Sequence, residues 1–479
     1  MTFSIDLLTR LGDVRDILGS FLDEQIASLE DTESALVIMK TNSMKKILIL
    51  GAGRVVEPMI GYFLDKCKYT VTLADMDYDR AATVIGNHPG GKAVQWHTDD
   101  KSKLHLLVSE ADIVISMLPW QLHVPVAEAC VQNKKSMVTT SYVQPGMARL
   151  HDDAMKNNVL LLNECGEDPG LDHVINKYLI DLIHKDGGEI LSVASYGSGI
   201  PAARYKDCNP FRYKVSWSPL GLILAGNTPA VYLRNGNPVF VTGEGLYKHT
   251  HQVEIANTGI FEAYPNRDCR RYTELYGLSS RISLFRGLLR YPGWCILMNS
   301  LKKLGWYNTE EKRRFEGRTL REVTAVLSGL TDNDDLEEQV VEKFSSSEGT
   351  RIIAALGWLG LFGSEPVTLD EGTPADLLAC LFAQKMQYRP EEQDMALVYS
   401  KITAIIGQET KEYSATIVCT GIPGGHSAMS RCVSLPAAIS ARRILEGKIN
   451  ARGVRIPNIK EIYLPVLNEM KESGISVSV

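Results

Sequence analysis

"KKILILGAGRVVEPMIGYFL", residues 45–64, runs from two lysines through an apolar segment into a Gly-Ala-Gly turn and then into a second apolar segment. The first segment predicts a buried strand, and the second predicts a helix. Dinucleotide-binding domains begin in this way, with Gly51 allowing the tight turn and Gly53 letting a pyrophosphate approach the backbone. Val56 stands where a third glycine is expected, so the turn alone is a weak signal.

Strands and helices alternate over the first third of the chain. The predicted strands are KILIL (46–50), TVTLAD (70–75), ADIVISMLP (111–119), SMVTTSY (136–142) and NVLLLNE (158–164). Such alternation predicts a parallel sheet that helices cover on both faces. The predicted fold class is therefore α/β.

The second predicted strand ends in an acidic residue, Asp75, 24 residues after Gly51. A carboxylate at this place accepts hydrogen bonds from ribose hydroxyls and repels a 2′-phosphate. A surface acid at a strand end is the alternative interpretation. Taken with the glycine turn, Asp75 predicts a Rossmann domain that binds NAD in preference to NADP.

The composition restricts the class of protein. The 479 residues are 44% hydrophobic and 23% charged, with a net charge of −6. This balance argues against a nucleic-acid partner held by its phosphates, and no apolar run of about 18 residues predicts a membrane span. The nine cysteines are scattered without a Cys-x-x-Cys pair, which predicts reduced intracellular thiols and no metal site.

The pattern changes after the first third. Residues 190–270 are rich in Gly, Pro and Asn and predict antiparallel strands. Helical spacing follows in EEKRRFEGRTLREVTAVLSGL (310–330), TPADLLACLFAQKM (373–386) and SLPAAISARRILEGKI (434–449).

Further motifs occur in a fixed order along the chain. They are AGRVVEP (52–58), SMLPWQLH (116–123), TSYVQPGM (140–147), NECGEDPGLDH (163–173), FRYKVSWSPLGL (211–222), YPNRD (264–268) and FRGLLRYPGW (285–294). Together they resemble the glutamate-forming saccharopine dehydrogenase family, also called saccharopine reductase, which forms the C-terminal half of bifunctional aminoadipic semialdehyde synthase. The resemblance extends from about residue 45 to the C-terminus. In this family the turn reads Gly-x-Gly-x-x-x-x-Pro, which accounts for the missing third glycine.

The resemblance implies a domain organisation. We expect an N-terminal extension (1–44), a Rossmann NAD-binding domain (45–165) on which the C-terminal chain (425–479) packs, a mixed α+β substrate and dimerisation domain (166–295 and 391–424), and a small helical domain (296–390). It also implies a homodimer that acts on saccharopine, a small molecule of lysine metabolism.

The acidic N-terminus is unlike a signal or transit peptide. We expect an intracellular protein, mitochondrial if the chain belongs to an animal bifunctional enzyme and otherwise cytoplasmic.

Saccharopine carries three carboxylates, and arginine binds carboxylates in a bidentate manner. By similarity, Arg267 and Arg290 contact the substrate, with Leu288 and Leu289 nearby. Surface or ion-paired arginines are the alternative.

Oxidation of a secondary amine needs a base, and hydrolysis of the imine needs a proton donor. Asp168 is the expected acid–base residue, with a helix cap as its alternative. Tyr142 is the second catalytic candidate, unless it is a buried structural tyrosine, and Ser141 is expected to bind a substrate carboxylate. The expected cofactor contacts are Gly51, Gly53, Arg54, Val55, Asp75, Met117, Leu118 and Thr140. We interpret His123 and His173 as structural.

One position departs from the family pattern. The family commonly has Cys where SYGSGIP (195–201) has Gly197. The role of that thiol is then vacant or taken by Ser198. Two alternative functions stay open: an imine reductase resembling carboxynorspermidine synthase, and a catalytically silent NAD-binding regulatory subunit.

Overall fold

The computed structural model describes residues 44–344 and 348–479, so the predicted N-terminal extension lies outside it except for Met44. Its strands are β1 (Lys46–Leu50), β2 (Thr70–Asp75), β3 (Gly91–Gln95), β4 (Ile113–Ser116), β5 (Ser136–Thr139), β6 (Leu160–Leu162), β7 (Glu189–Pro201), β8 (Ala230–Arg234), β9 (Asn237–Val241), β10 (His251–Ile255), β11 (Gly259–Pro265), β12 (Ser283–Arg290), β13 (Arg313–Arg314), β14 (Glu371–Gly372), β15 (Asp394–Ile406), β16 (Glu409–Thr420), β17 (Gly453–Arg455) and β18 (Val477–Ser478).

The α-helices of the described residues connect and cover these strands. They are α1 (Glu57–Gly61), α2 (Tyr78–Ile85), α3 (Lys101–Glu110), α4 (His123–Gln132), α5 (Pro145–Ala148), α6 (His151–Lys156), α7 (Leu171–Lys185), α8 (Pro219–Asn227), α9 (Tyr272–Tyr276), α10 (Trp294–Lys303), α11 (Leu320–Ser328), α12 (Leu336–Lys343), α13 (Gly349–Leu359), α14 (Pro374–Lys385), α15 (Ala428–Leu445) and α16 (Lys460–Glu472).

The first sheet is parallel and has the order β17-β6-β5-β4-β1-β2-β3. The predictions for β1 and β2 are confirmed residue for residue. β1 is an apolar run that is buried from Ile47 to Leu50, and β2 alternates half-buried threonines with buried apolar residues. Strand order reverses at β1, which lies between β2 and β4. The crevice beyond the carboxyl ends of β1 and β4 is the place where such folds bind ligands. The α/β fold class is therefore confirmed.

The second sheet is mixed and has the order β10-β11-β12-β7-β15-β16-β18, with β8 and β9 on its side. Strand β7 lies at its centre, parallel to β12 and antiparallel to β15. The long hairpin of β15 and β16 has no counterpart in the sequence prediction. Arg286 of β12 contacts Tyr142, which follows β5, so the second sheet meets the carboxyl edge of the first sheet there.

The helical prediction over residues 310–330 is wrong in its first half. Residues 313–314 form β13, which pairs with β14, and Gly317 then takes a φ of +73°. Helix α11 begins only after Thr319, whose side chain and that of Glu322 form a capping box. The helix predicted over 373–386 is confirmed as α14.

The C-terminal chain contacts both sheets. Helix α15 packs against α1, and β17 adds a parallel strand beside β6 in the first sheet. Strand β18 pairs with β16 in the second sheet. The domain boundaries remain a prediction, and these contacts describe how the two ends of the chain meet.

Candidate active site

The glycine turn lies at the carboxyl end of β1. Gly51 has a φ of +99°, and a Cβ added to it would lie 3.0 Å from the carbonyl oxygen of Met117. A Cβ added to Gly53 would meet no atom within 4 Å. Within the described residues, the backbone N–H groups of Gly53, Arg54 and Val55 donate no hydrogen bond. Three free donors beside open space fit the pyrophosphate of a dinucleotide.

Asp75 is held at the end of β2 by two backbone donors. Its Oδ2 accepts from Ala52 N at 2.7 Å, and its Oδ1 accepts from Asp77 N at 2.9 Å. These bonds fix the carboxylate against the glycine turn, which is where a ribose would lie. Met117 and Leu118 follow β4 at the same edge of the sheet, and Thr140 follows β5. The sequence-predicted cofactor residues are thus brought together around one crevice.

A buried histidine connects β4, α4 and the loop after β5. His123 Nδ1 lies 2.8 Å from Ser116 Oγ, and its Nε2 lies 2.8 Å from Ser141 Oγ. Burial lowers the pKa of His123 to about 4, so the ring is neutral at physiological pH. Its structural interpretation agrees with this position, and its geometry fixes the hydroxyl of Ser141.

Asp168 lies beside a buried guanidinium that the sequence analysis did not single out. Arg286 pairs with Asp168 Oδ1, and Tyr142 OH donates to the same oxygen at 3.1 Å. The Tyr142 hydroxyl in turn accepts from Arg286 Nη1 at 2.7 Å and from Asn266 Nδ2 at 3.2 Å. The side chain of Asp168 is only 3% exposed. Asp168 is therefore not the isolated acid that the sequence suggested.

The pKa of Asp168 is raised above its ordinary value, mainly by burial, while Arg286 acts in the opposite direction. The helix-cap alternative does not apply, because Gly170 is the N-cap of α7 and its N–H bonds to Asp172 Oδ1. Asp172 also pairs with Arg286 at 2.6 Å. Its pKa lies below its ordinary value because Arg286 and His173 outweigh burial.

His173 belongs to a buried layer behind this cluster. Its Nε2 lies 2.7 Å from Glu164 Oε2, and its Nδ1 lies 2.6 Å from Tyr276 OH. Burial lowers the pKa of His173 to about 4. The same Nδ1 is 3.5 Å from Asp172 Oδ2. Because Glu164 and Tyr276 hold both ring nitrogens, the structural interpretation of His173 stands.

Glu167 is a second buried acid next to Asp168. Its Oε1 accepts from Ser198 N at 3.0 Å, and burial raises its pKa to about 8. The hydroxyl of Ser198 donates to Leu289 O at 2.7 Å and does not replace the family thiol beside Asp168. That volume is filled by Asp168 itself, which packs on the bare Cα of Gly197.

The two predicted arginines flank the cluster without pairing to any carboxylate of the described residues. Arg267 lies over the Tyr142 ring at 5.6 Å and donates to Thr228 Oγ1 at 2.8 Å. Arg290 is 3% exposed, lies among the rings of three aromatic residues, and its Nε has no hydrogen-bond partner. These rings are Tyr213, Tyr264 and Trp294.

Strand alternation separates the two predicted leucines. Leu288 is half-buried and shares a face of β12 with Arg286 and Arg290. Leu289 lies on the opposite face, is fully buried in the core, and uses its carbonyl for Ser198 and Arg290. Only Leu288 offers a side chain to the cleft.

Sequence reasoning missed Arg286 and Asn266. A strand interpretation of FRGLLR would have found the arginine, because residues four apart in a strand share a face. Asn266 gave no such signal, since an amide in a loop has no expected partner. In the described residues, no helix is long and apolar enough to cross a membrane, and no cluster of His, Cys, Asp and Glu could hold a metal ion.

Two family models match nearly all of the described chain. "Saccharopine dehydrogenase NADP binding domain" matches residues 47–162, and "Saccharopine dehydrogenase C-terminal domain" matches residues 166–475. The chain belongs to the saccharopine dehydrogenase family. The resemblance that the motifs predicted is therefore confirmed, and it assigns the chain to a family of oxidoreductases.

Individual relatives agree with the family assignment. Saccharopine dehydrogenase (NADP(+), L-glutamate-forming) of Schizosaccharomyces pombe is 34% identical, over 90% of this chain and 98% of that protein. Mitochondrial alpha-aminoadipic semialdehyde synthase of Mus musculus is 33% identical over 94% of this chain, which spans about half (49%) of that protein. The apo structure of saccharopine dehydrogenase (L-Glu forming) from Saccharomyces cerevisiae superposes with a TM-score of 0.81 at 30% identity, covering 91% of this chain and 99% of that one. A pyridine nucleotide is the cofactor class that these matches support.

Proposed function

We propose that this chain oxidises saccharopine with NAD to L-glutamate and 2-aminoadipate 6-semialdehyde. The observation that carries the proposal is the buried cluster of Asp168, Tyr142 and Arg286, in which Tyr142 follows β5 of the first sheet and contacts Arg267. An acid–base group beside a nucleotide crevice, with cations free for carboxylates, is what this reaction needs.

The two flanking arginines are proposed to bind substrate carboxylates. A buried guanidinium without a counter-ion is costly, and a carboxylate supplied by the substrate would satisfy the free Nε of Arg290. Arg267 lies over the Tyr142 ring at 5.6 Å. Ser141, whose hydroxyl His123 fixes, adds a third polar contact, and Leu288 covers the substrate chain.

Asp168 is proposed to take the proton of the secondary amine before oxidation. When bound, the nicotinamide supplies the acceptor for the hydride from the carbon next to that amine. Asp168 then returns its proton to the amine nitrogen as water adds to the imine carbon and the C–N bond breaks. Tyr142 orients the reacting groups, because its hydroxyl is fixed by three hydrogen bonds. Burial raises the pKa of Asp168, which makes it a stronger proton acceptor than an ordinary aspartate.

The preference for NAD rests on the residues around the adenosine ribose. Asp75 is held at the ribose position, and Met76, Asp77 and Asp79 follow it. The carboxylate of Asp75 repels the 2′-phosphate of NADP, whereas Asp77 is paired with Arg80 at 3.2 Å and adds little negative charge. The printed names of several relatives specify NADP(+), so the cofactor is the point on which this chain is proposed to differ from them.

The arrangement favours this function over the two alternatives. A polyamine-type substrate would need acidic groups where Arg267 and Arg290 lie. The regulatory interpretation rested on the Gly197 departure and on the N-terminal segment, which lies outside the described residues. At Gly197 the carboxylate of Asp168 fills the space of the missing side chain. We propose that residues 45–165 bind the nucleotide, that 166–295 and 391–424 bind the substrate, and that 296–390 close the cleft.

The direct test is a steady-state assay of NADH or NADPH formation at 340 nm with saccharopine. We expect turnover with NAD and a kcat/KM at least tenfold lower with NADP. Equal use of both cofactors would contradict the role of Asp75, and no turnover with either would contradict the proposed function.

The role of Asp168 is tested by Asp168→Ala and Asp168→Asn. Each should lower kcat by about 10²–10⁴-fold, the usual contribution of acid–base catalysis, while the Kd for NAD changes little. Loss of NAD binding with a preserved rate would show that Asp168 serves the cofactor site instead.

A further inference from the structure

Gly197 lies opposite the carboxylate of Asp168, at the centre of the second sheet. It pairs with Leu288 of β12 on one side and with Val398 of β15 on the other, so its backbone position is fixed. A Cβ added here would lie 2.5 Å from both Cβ and Oδ2 of Asp168 and 2.9 Å from its Cγ. No real pair of carbon atoms stays at that distance without a displacement.

Backbone hydrogen bonds hold the segment that carries Asp168 in place. Gly166 N donates to Pro169 O at 2.8 Å, and Leu171 N donates to Gly166 O at 2.9 Å. Gly170 has a φ of +152°, and a Cβ on it would overlap the backbone of Gly166. Because the Cβ of Asp168 is itself one of the atoms in contact, rotation of the side chain does not remove the overlap. A side chain at position 197 would therefore strain this segment and shift the Asp168 carboxylate relative to Arg286.

We propose that Gly197 is a positioning residue, whose missing side chain lets Asp168 reach the guanidinium of Arg286. The inference rests on the proposed acid–base role of Asp168. Where the family pattern has a cysteine side chain, Gly197 has none, and the carboxylate of Asp168 occupies that space. The distance between Asp168 and Arg286, which Gly197 controls, then limits how far burial raises the pKa of Asp168.

Five charged or titratable groups face Asp168. Arg286 lies on β12, Tyr142 follows β5, Asp172 and His173 lie on α7, and Glu167 precedes Asp168 in the chain. Among them, Arg286 is the strongest influence that lowers the pKa of Asp168 against the effect of burial. Moving the carboxylate away from Arg286 would raise this pKa further, so the deprotonated base would form only at higher pH.

The test compares Gly197→Ala with Gly199→Ala. Gly199 lies two residues further on the same face of β7, where an added Cβ would meet the flexible end of Met429. We expect G197A to move the acidic limb of kcat/KM for saccharopine up by about one pH unit, a tenfold loss below the limb. G199A should keep the wild-type profile, and both variants should keep the Kd for NAD.

Asp168→Asn separates this inference from the proposed function. If D168N retains turnover, the proposed acid–base role of Asp168 fails. If D168N is inactive while G197A keeps the wild-type pH profile, the positioning role alone is overturned.

A second readout applies if G197A folds poorly. Asp168→Gly removes the side chain that the new methyl group would meet, so D168G should raise the melting temperature of G197A but not that of the wild type. Failure of D168G to raise the melting temperature of G197A overturns the proposal.

Discussion

Arg290 shows how a single residue connects function with stability. Its guanidinium is buried among aromatic rings, and no carboxylate of the described residues pairs with it. Contacts with aromatic rings recover only part of the cost of burying a cation. A residue retained at such a cost is expected where a ligand supplies the missing charge.

We predict that Arg290→Met raises the KM for saccharopine roughly 10- to 100-fold, the value of one charge-assisted contact. The melting temperature should stay the same or rise, because an unpaired buried charge is removed. Steady-state kinetics and thermal denaturation of the same samples measure both effects.

Arg442→Met is the matched control. Arg442 is also largely buried, but it pairs with Glu469 and Glu446 far from the cleft. Its replacement should lower the melting temperature and leave KM unchanged. A fall in stability for R290M without a change in KM would make Arg290 a structural residue.

Glu167 makes a prediction about pH and stability. Its pKa is about 8 in the folded protein, whereas the ordinary value is 4.5. Between these values the unfolded chain releases a proton that the folded chain retains, so rising pH destabilises the fold. Glu167→Gln should therefore become progressively more stable than the wild type from about pH 4.5 to pH 8, by at most about 1.4 kcal/mol per pH unit.

Chemical denaturation at several pH values measures this difference. The glutamine keeps an oxygen for the N–H of Ser198, so the variant isolates the charge. Glu110→Gln, an exposed change at the end of α3, should show no such trend. If the difference in unfolding free energy between E167Q and the wild type were constant across pH, the raised pKa of Glu167 would be contradicted.

Sequence motifs gave the positions of candidate site residues, but they did not show which side chains contact them in the folded protein. Asp168 and Tyr142, both candidates from the sequence, lie together. The ion pair between Asp168 and Arg286 could not be predicted from the sequence, because these two residues are 118 positions apart. Burial and pairing of a titratable group are properties of the packed cleft, and local sequence does not contain them.

At the scale of elements, the two glycines of the first turn have different physical roles. Gly51 has a left-handed φ, and its Cα approaches the carbonyl of Met117. Gly53 has neither constraint and faces open space. The first glycine is required by the fold, and the second is proposed to leave room for the nucleotide.

We predict that Gly51→Ala destabilises the fold by about 1–3 kcal/mol through strain. Gly53→Ala should change the melting temperature little and weaken NAD binding about tenfold, because a methyl group then stands where the pyrophosphate approaches. Denaturation curves and NAD titrations by tryptophan fluorescence distinguish the two. Equal loss of stability in both variants would contradict this division of roles.

Elements were predictable where local signals and tertiary packing agree. β1 and β2 are apolar runs bounded by turns, and both were predicted to the residue. The false helix over 310–319 has helical spacing, but Gly317 and the capping box at Thr319 delay the helix to residue 320. The β15–β16 hairpin escaped prediction because β15 is buried on both faces and lacks alternation.

At the scale of the whole molecule, Glu469 joins the two ends of the described chain. Its Oε1 accepts from Tyr62 OH, 407 residues away, and from Lys66, both at 2.8 Å. Its Oε2 accepts from Arg442 Nη2 at 2.7 Å. The helical segment after the glycine turn is thereby fixed to α16 and to α15, and α15 also packs on β4 and β5 of the first sheet.

We predict that Glu469→Gln lowers the free energy of unfolding by roughly 1–3 kcal/mol near neutral pH, since it leaves charged partners unsatisfied. The pKa of Glu469 lies below its ordinary value of 4.5, because its donors outweigh burial. The stabilisation is therefore present above about pH 4.5 and is lost as the pH falls through the folded-state pKa.

Glu472→Gln is the control, because Glu472 is 69% exposed and 3.5 Å from Lys66, and surface pairs contribute little. If E469Q and E472Q unfold alike at pH 7, or the effect of E469Q persists undiminished in acid, the C-terminal helices are held to the first sheet by apolar packing instead of this charged contact.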